Sequence, residues 1–167
     1  MGHIQKILVP MDGSPPSIAA LGEAVALAED LAAAIDVLHV NAPNEFEVGS
    51  ATATAPGAGE QDDRTMDEAI EAAKARLGER LSRRTDSGDP VRTILDVASS
   101  GPFDLIVMGT HGRIGRLHAL VGSVAEAVVR SSLCPVLTVR RPDGAQESFS
   151  ERIHGRRAIG DRARPPR

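Results

Sequence analysis

Two short apolar runs, Ile4 to Val9 (IQKILV) and Asp36 to Val40 (DVLHV), flank a segment in which Ile18, Leu21, Val25, Ala28, Leu31 and Ile35 recur at spacings of three and four. The outer runs read as buried strands and the middle segment as a helix with one apolar face. Strand, helix, strand over so short a stretch is a crossover unit, and such units are parallel and almost always right-handed. That feature commits the chain to an α/β fold. Composition agrees: 41% of the residues are apolar but only 2% aromatic, so the core must be built from Val, Leu, Ile and Ala, as suits a parallel sheet under Ala-rich helices. A length of 167 residues suits one domain.

The remaining elements follow from the same periodicities. Pro10 ends the first strand, and the turn Asp12-Gly13-Ser14 can cap the helix that follows. Residues 41–65 are rich in Ala, Gly, Thr, Pro and acidic side chains, have almost nothing to bury, and read as a long mobile connection. Met66, Ile70, Ala73, Leu77 and Leu81 restore helical spacing until about Arg83, after which Thr85 to Pro90 reads as a turn. A parallel fold wants a third strand here, yet Leu81 to Thr85 (LSRRT) is basic and poorly patterned, so this strand is expected to be short or irregular. Asp89 and Pro90 predict an N-cap and a first helical position, with Val91, Ile94, Leu95 and Ala98 on the buried face. Phe103 to Met108 (FDLIVM) predicts a central strand and Pro135 to Arg140 (PVLTVR) the last one. Between them Val121, Val124, Ala125, Val128 and Val129 give a helix one face. Beyond Arg140 arginines outnumber acidic residues and periodicity is lost, so residues 141–167 read as a disordered tail. An arm for nucleic acid or a protein partner is the sharper alternative, but its separated arginines have only one aromatic, Phe149, among them and support it faintly.

A formal net charge of -4 is too mild to favour nucleic acid or anionic membrane as the main partner. The lone cysteine, Cys134, excludes an internal disulfide, points to a reducing compartment, and reads as a small buried hydrophobe beside Pro135. Neither a signal peptide nor a membrane span is visible, which places the chain in the cytoplasm as an expectation.

The chemistry concentrates after the strongest strand, in Gly109-Thr-His-Gly112 and, nine residues later, Gly122-Ser123. Glycines at a strand's carboxyl end let backbone N–H groups turn inward into an anion nest. Gly122 and Ser123 open the next helix, where unpaired N–H groups and the helix dipole favour a phosphate. The dipole contributes only about 0.3 to 2 kcal/mol, against about 8 for micromolar binding, so several amides, a base pocket and a metal must share the task. Structural readings stand beside these. Ser123-Val-Ala-Glu126 is a capping box in which the Ser123 hydroxyl accepts from the Glu126 N–H, and Gly109 and Gly112 can serve a plain turn. No G-x-x-x-x-G-K-[ST] occurs, and G-x-x-G differs from the dinucleotide G-x-G-x-x-G.

Gly-x2-Gly-x9-Gly-Ser after DLIVMG, with KILVPMDGS near the start and CPVLTVR near the end, resembles the universal stress protein family in its ATP-binding subgroup. The likeness covers about residues 4–140 and is weakest between Asn41 and Asp89. It implies a doubly wound, open, parallel five-stranded α/β sheet of the adenine nucleotide alpha hydrolase-like, Rossmann-like kind, and a homodimer formed through the last strand. It also implies adenine and ribose contacts near Pro10, Asp12 and Val40, and phosphate contacts from Gly109, Gly112, Gly122, Ser123 and the Val124 amide. Topology points the same way: ligands of open α/β sheets sit at strand carboxyl ends where the order switches, and Pro10 to Asp12, Val40 and Met108 to Gly112 are all strand ends. Asp12 could accept from a ribose hydroxyl or meet a phosphate-bound Mg²⁺, or could simply form an Asx turn.

Catalysis is not expected beyond slow hydrolysis of ATP. His111 and Arg113 lie inside the loop within reach of phosphate oxygens, or are solvated loop residues. His39 reads as half-buried structure rather than as a base. No nucleophile, base and orienter come together. Two functional classes remain: an ATP-binding stress-response or signalling module, and a dimeric scaffold that keeps the glycines for geometry alone.

Overall fold

A computed structural model describes residues 3–42, 58–110 and 122–140. Five strands, β1 (Lys6–Met11), β2 (Ala34–Asn41), β3 (Leu81–Ser87), β4 (Leu105–Gly109) and β5 (Val136–Val139), form one parallel sheet in the order β3-β2-β1-β4-β5. The chain winds outward from β1 first to one side and then to the other, so the switch point lies between β1 and β4. The predicted fold class is the observed one.

Alternation along the strands divides the core into two layers. Ile7, Val9, Ile35, Val37, Leu105 and Val107 face α1 (Pro15–Leu31) and α2 (Ala58–Leu77). Leu8, Leu38, Ile106 and Met108 face α3 (Pro90–Ser100) and α4 (Ser123–Ser131). Ala20, Ala24 and Ala28 are buried on α1, and side chains this small let the helix lie close to the sheet. The helix stops at Ala32, which adopts φ 55°, and the Ala28 carbonyl accepts from the Ala33 N–H at 3.0 Å. Arg80 donates to the carbonyls of Ala28 and Ala33 at 3.0 and 3.1 Å, tying the start of β3 to this helix end.

Several boundaries differ from the sequence expectation. Ile35 belongs to β2 and not to the stripe of α1. Residues 58–65, read as part of a connection, are the start of α2, while residues 43–57 and the tail 141–167 lie outside the described residues. The helical spacing that ran to Arg83 ends at Leu77, and a single turn of 3₁₀ helix (Gly78–Arg80) leads into β3. That strand is neither short nor irregular: it pairs with β2 from Leu81 to Ser87, so Thr85 to Ser87 are strand and not turn. Its pattern was hidden because it is an edge strand on which only Leu81 is buried. β1 continues through Pro10 to Met11 instead of stopping. A proline nitrogen donates nothing, and β1 tolerates Pro10 because its pairing with β4 is already over at Leu8–Ile106, leaving only the β2 side paired. Val129 is 49% exposed and does not share the buried face of α4. Cys134 is half-buried, its thiol donating to the Phe103 carbonyl at 3.4 Å.

Candidate functional site

The carboxyl ends of β1 and β4 flank the switch point, with that of β2 on the far side of β1. Asp12 follows β1 and forms the Asx turn: its Oδ1 accepts from the Ser14 N–H at 3.0 Å and from the Ser14 hydroxyl at 2.5 Å. Gly13 between them holds φ 80°, a conformation that favours glycine. Ser14 caps α1, taking the Ser17 N–H on its hydroxyl and the Ile18 N–H on its carbonyl. Pro15 and Pro16 occupy the first two helical positions and carry no N–H. The amino end of α1 therefore offers no free backbone donor, although in many α/β proteins the first helix is where a phosphate would sit.

The amino end of α4 is built in the opposite way. Gly122 is the N-cap, without a side-chain bond, and the first intrahelical bond runs from the Glu126 N–H to the Gly122 carbonyl at 2.9 Å. The capping box expected at Ser123 does not form, because Ser123 is one position too late: it is the first residue inside the helix, and its side chain is exposed. The amides of Ser123, Val124 and Ala125 are thus those that a helix cannot satisfy internally. The Gly122 N–H donates to the Thr110 carbonyl at 2.5 Å, while the Thr110 N–H donates to the Val139 carbonyl at 3.0 Å. These two bonds bring the α4 amino end to the mouth of β4.

Gly109 has a reason that the sequence did not disclose. It is extended strand, and a Cβ built on it would lie 2.7 Å from the Pro16 carbonyl carbon, 2.9 Å from its oxygen and 2.9 Å from the Ser17 nitrogen. The missing side chain lets α1 rest on the end of β4. Met108 is buried in the α3/α4 layer, so its side chain is core, while Val40 and Val124 are half-buried against that same layer. Pro10 is buried and Asp12 half-buried. Gly112, Arg113 and His111 lie outside the described residues.

His39, at the end of β2, was not among the expected contacts. Its Nδ1 donates to the Met11 carbonyl at 3.0 Å, tying β2 to the last residue of β1. Among the described residues no group of three His, Cys, Asp or Glu side chains could hold a metal ion, and no helix is long and apolar enough to cross a membrane.

A parallel five-stranded sheet with its switch point beside an open helix end defines a doubly wound α/β protein with its candidate site at the strand carboxyl ends. The chain belongs to the universal stress protein family, whose sequence profile matches residues 3–140. It is 32% identical over 141 residues to the universal stress protein MJ0531 of Methanocaldococcus jannaschii, covering 83% of each chain. It is also 32% identical to the universal stress protein YxiE of Bacillus subtilis, covering 81% of this chain and 98% of that one. Among solved structures it resembles universal stress protein UspA from Lactobacillus plantarum (TM-score 0.65, 27% identity, 84% of this chain and 100% of that chain). It also resembles a universal stress protein in complex with cAMP (TM-score 0.61, 26% identity, 83% and 98%).

Proposed function

We propose that the protein is an ATP-binding universal stress protein, a stress-response module whose bound nucleotide biases conformation or partner choice. The observation that carries this reading is the pairing of a sealed and an open helix end at one switch point. α1 has no backbone N–H to offer, whereas α4 presents those of Ser123 to Ala125 beside the end of β4. A polyphosphate at this mouth is directed to α4, with the base and ribose toward Asp12 and Val40. Mg²⁺ fits this arrangement as a partner of the phosphates, and the Asp12 carboxylate, whose Oδ1 also accepts from Ser14, is the side chain that would meet it. The cAMP complex of a relative with 26% identity supports a nucleotide as the ligand class. The chain's own groups bind and orient, with at most slow hydrolysis, in the reducing cytoplasm that a lone thiol suits. A homodimer through β5 completes the reading.

The second reading, a dimeric scaffold without nucleotide, is favoured by Gly109, whose glycine is explained by packing against the Pro16 and Ser17 backbone without any ligand. Titration of purified protein with ATP, with and without Mg²⁺, and extraction of any co-purified nucleotide decide between them. Saturable binding below millimolar ATP is expected. Absence of binding at millimolar ATP leaves the scaffold.

A further inference from the structure

We infer that His39 is a positioning residue for the mouth of the crevice: its imidazole holds the Met11–Asp12 peptide from the β2 side and so sets where Asp12 stands before any ligand arrives. Its purpose rests on the nucleotide reading, but its geometry does not. β1 keeps its pairing with β4 only at Ile7 and Leu8, so Val9, Pro10 and Met11 are held in register by β2 alone, opposite Val37, Leu38 and His39. A strand end paired on one side opens more readily than one paired on both. His39 adds a side-chain bond there, from Nδ1 to the Met11 carbonyl at 3.0 Å.

A carbonyl can only accept, so Nδ1 carries the proton, and it does so in both the neutral Nδ1–H tautomer and the imidazolium. Charge on the ring therefore leaves the tie in place. The peptide unit is planar, with its carbonyl and its N–H on opposite sides, so fixing the Met11 oxygen fixes the direction of the Asp12 N–H. From Asp12 the connection runs on: its carboxylate holds Ser14, Ser14 caps α1, and the Pro16 backbone of α1 lies against Gly109 of β4. One side chain on β2 thus anchors a chain of contacts that reaches the far wall of the mouth.

The test compares the full chain with three variants. His39→Asn places an amide N–H near the Nδ1 position, His39→Gln places one near Nε2, and His39→Ala removes the donor. Each is titrated with ATP and Mg²⁺, and the backbone amide shifts of Asp12, Gly13 and Ser14 are recorded without nucleotide. Affinity within about twofold of the parent is expected for His39→Asn, and a loss of about five- to tenfold for His39→Gln and His39→Ala, as one hydrogen bond would give. Equal affinity in all four proteins overturns the inference, and so does an equal loss in His39→Asn and His39→Gln. If His39→Ala does not fold, His39→Gln carries the comparison. If the parent binds no ATP, the nucleotide reading fails and the amide shifts judge the tie: movement in His39→Gln and not in His39→Asn keeps it, and unmoved amides remove it.

Discussion

A single glycine can answer to two demands, and Gly109 separates them. Its place in a phosphate-loop spacing was visible in the sequence, but its packing role was not. The atoms that exclude a side chain there belong to Pro16 and Ser17, far away along the chain. Those atoms are backbone and cannot rotate aside, so a methyl group must push α1 from the sheet. Gly109→Ala is therefore expected to lower stability by about 1–3 kcal/mol, the usual cost of overpacking. The check is chemical denaturation of the nucleotide-free protein, and an unchanged midpoint would refute the packing role. Ser123 teaches the converse. Its spacing to Glu126 fitted a capping box, but where a helix begins is decided by the loop entering it, and the cap fell on Gly122. Cys134 was read as buried and is only half so, yet burial, followed by the nearby Asp104 charge, raises its thiol pKa above the ordinary value and keeps the thiolate scarce at neutral pH.

Among the strands, legibility tracked burial. β4 is buried from Leu105 to Met108 and could be read directly, whereas β3 has one buried residue and could not, although its pairing with β2 is complete. Backbone pairing leaves no trace in side-chain type when both faces are wet. α3 was legible to its first residue because its cap is local: Asp89 accepts from the Arg92 N–H at 2.8 Å, with Pro90 next. At the amino end of the sheet Asp104 joins β4 to β1, its Oδ2 accepting from the N–H groups of Gln5 at 2.8 Å and Lys6 at 3.0 Å. The Gln5 bond and then the Lys6 bond hold this carboxyl below the usual carboxylate range, with desolvation opposing them. A depressed pKa stabilises the fold fully above the unfolded value of about 4 and ceases to do so as pH falls through the lower folded value. Asp104→Asn is thus expected to lower the urea midpoint at pH 7, with the gap from the parent closing in acid below about pH 4. A gap independent of pH would show that the charge is not what matters.

The molecule as a whole has two unlike edges. β3 carries Arg83 and Arg84, paired with Asp67 and Asp86, and charged edge strands resist further pairing. The β5 end is apolar: Leu137 is 38% exposed and Leu133 98%, alongside Val129. That asymmetry supports self-association through β5, with the β3 edge left free. A dimer by light scattering is expected for the parent chain, and a monomer for Leu137→Lys with unchanged circular dichroism. A monomeric parent would remove the dimer from the reading. The hydrogen bond between Gly122 and Thr110 bears on how such a protein can change over time. It joins the two residues that bracket positions 111–121. Closing a span of twice the length costs only about 0.6 kcal/mol more. A change of length between these two residues therefore carries little entropic cost, and the pairing of the five strands does not depend on it.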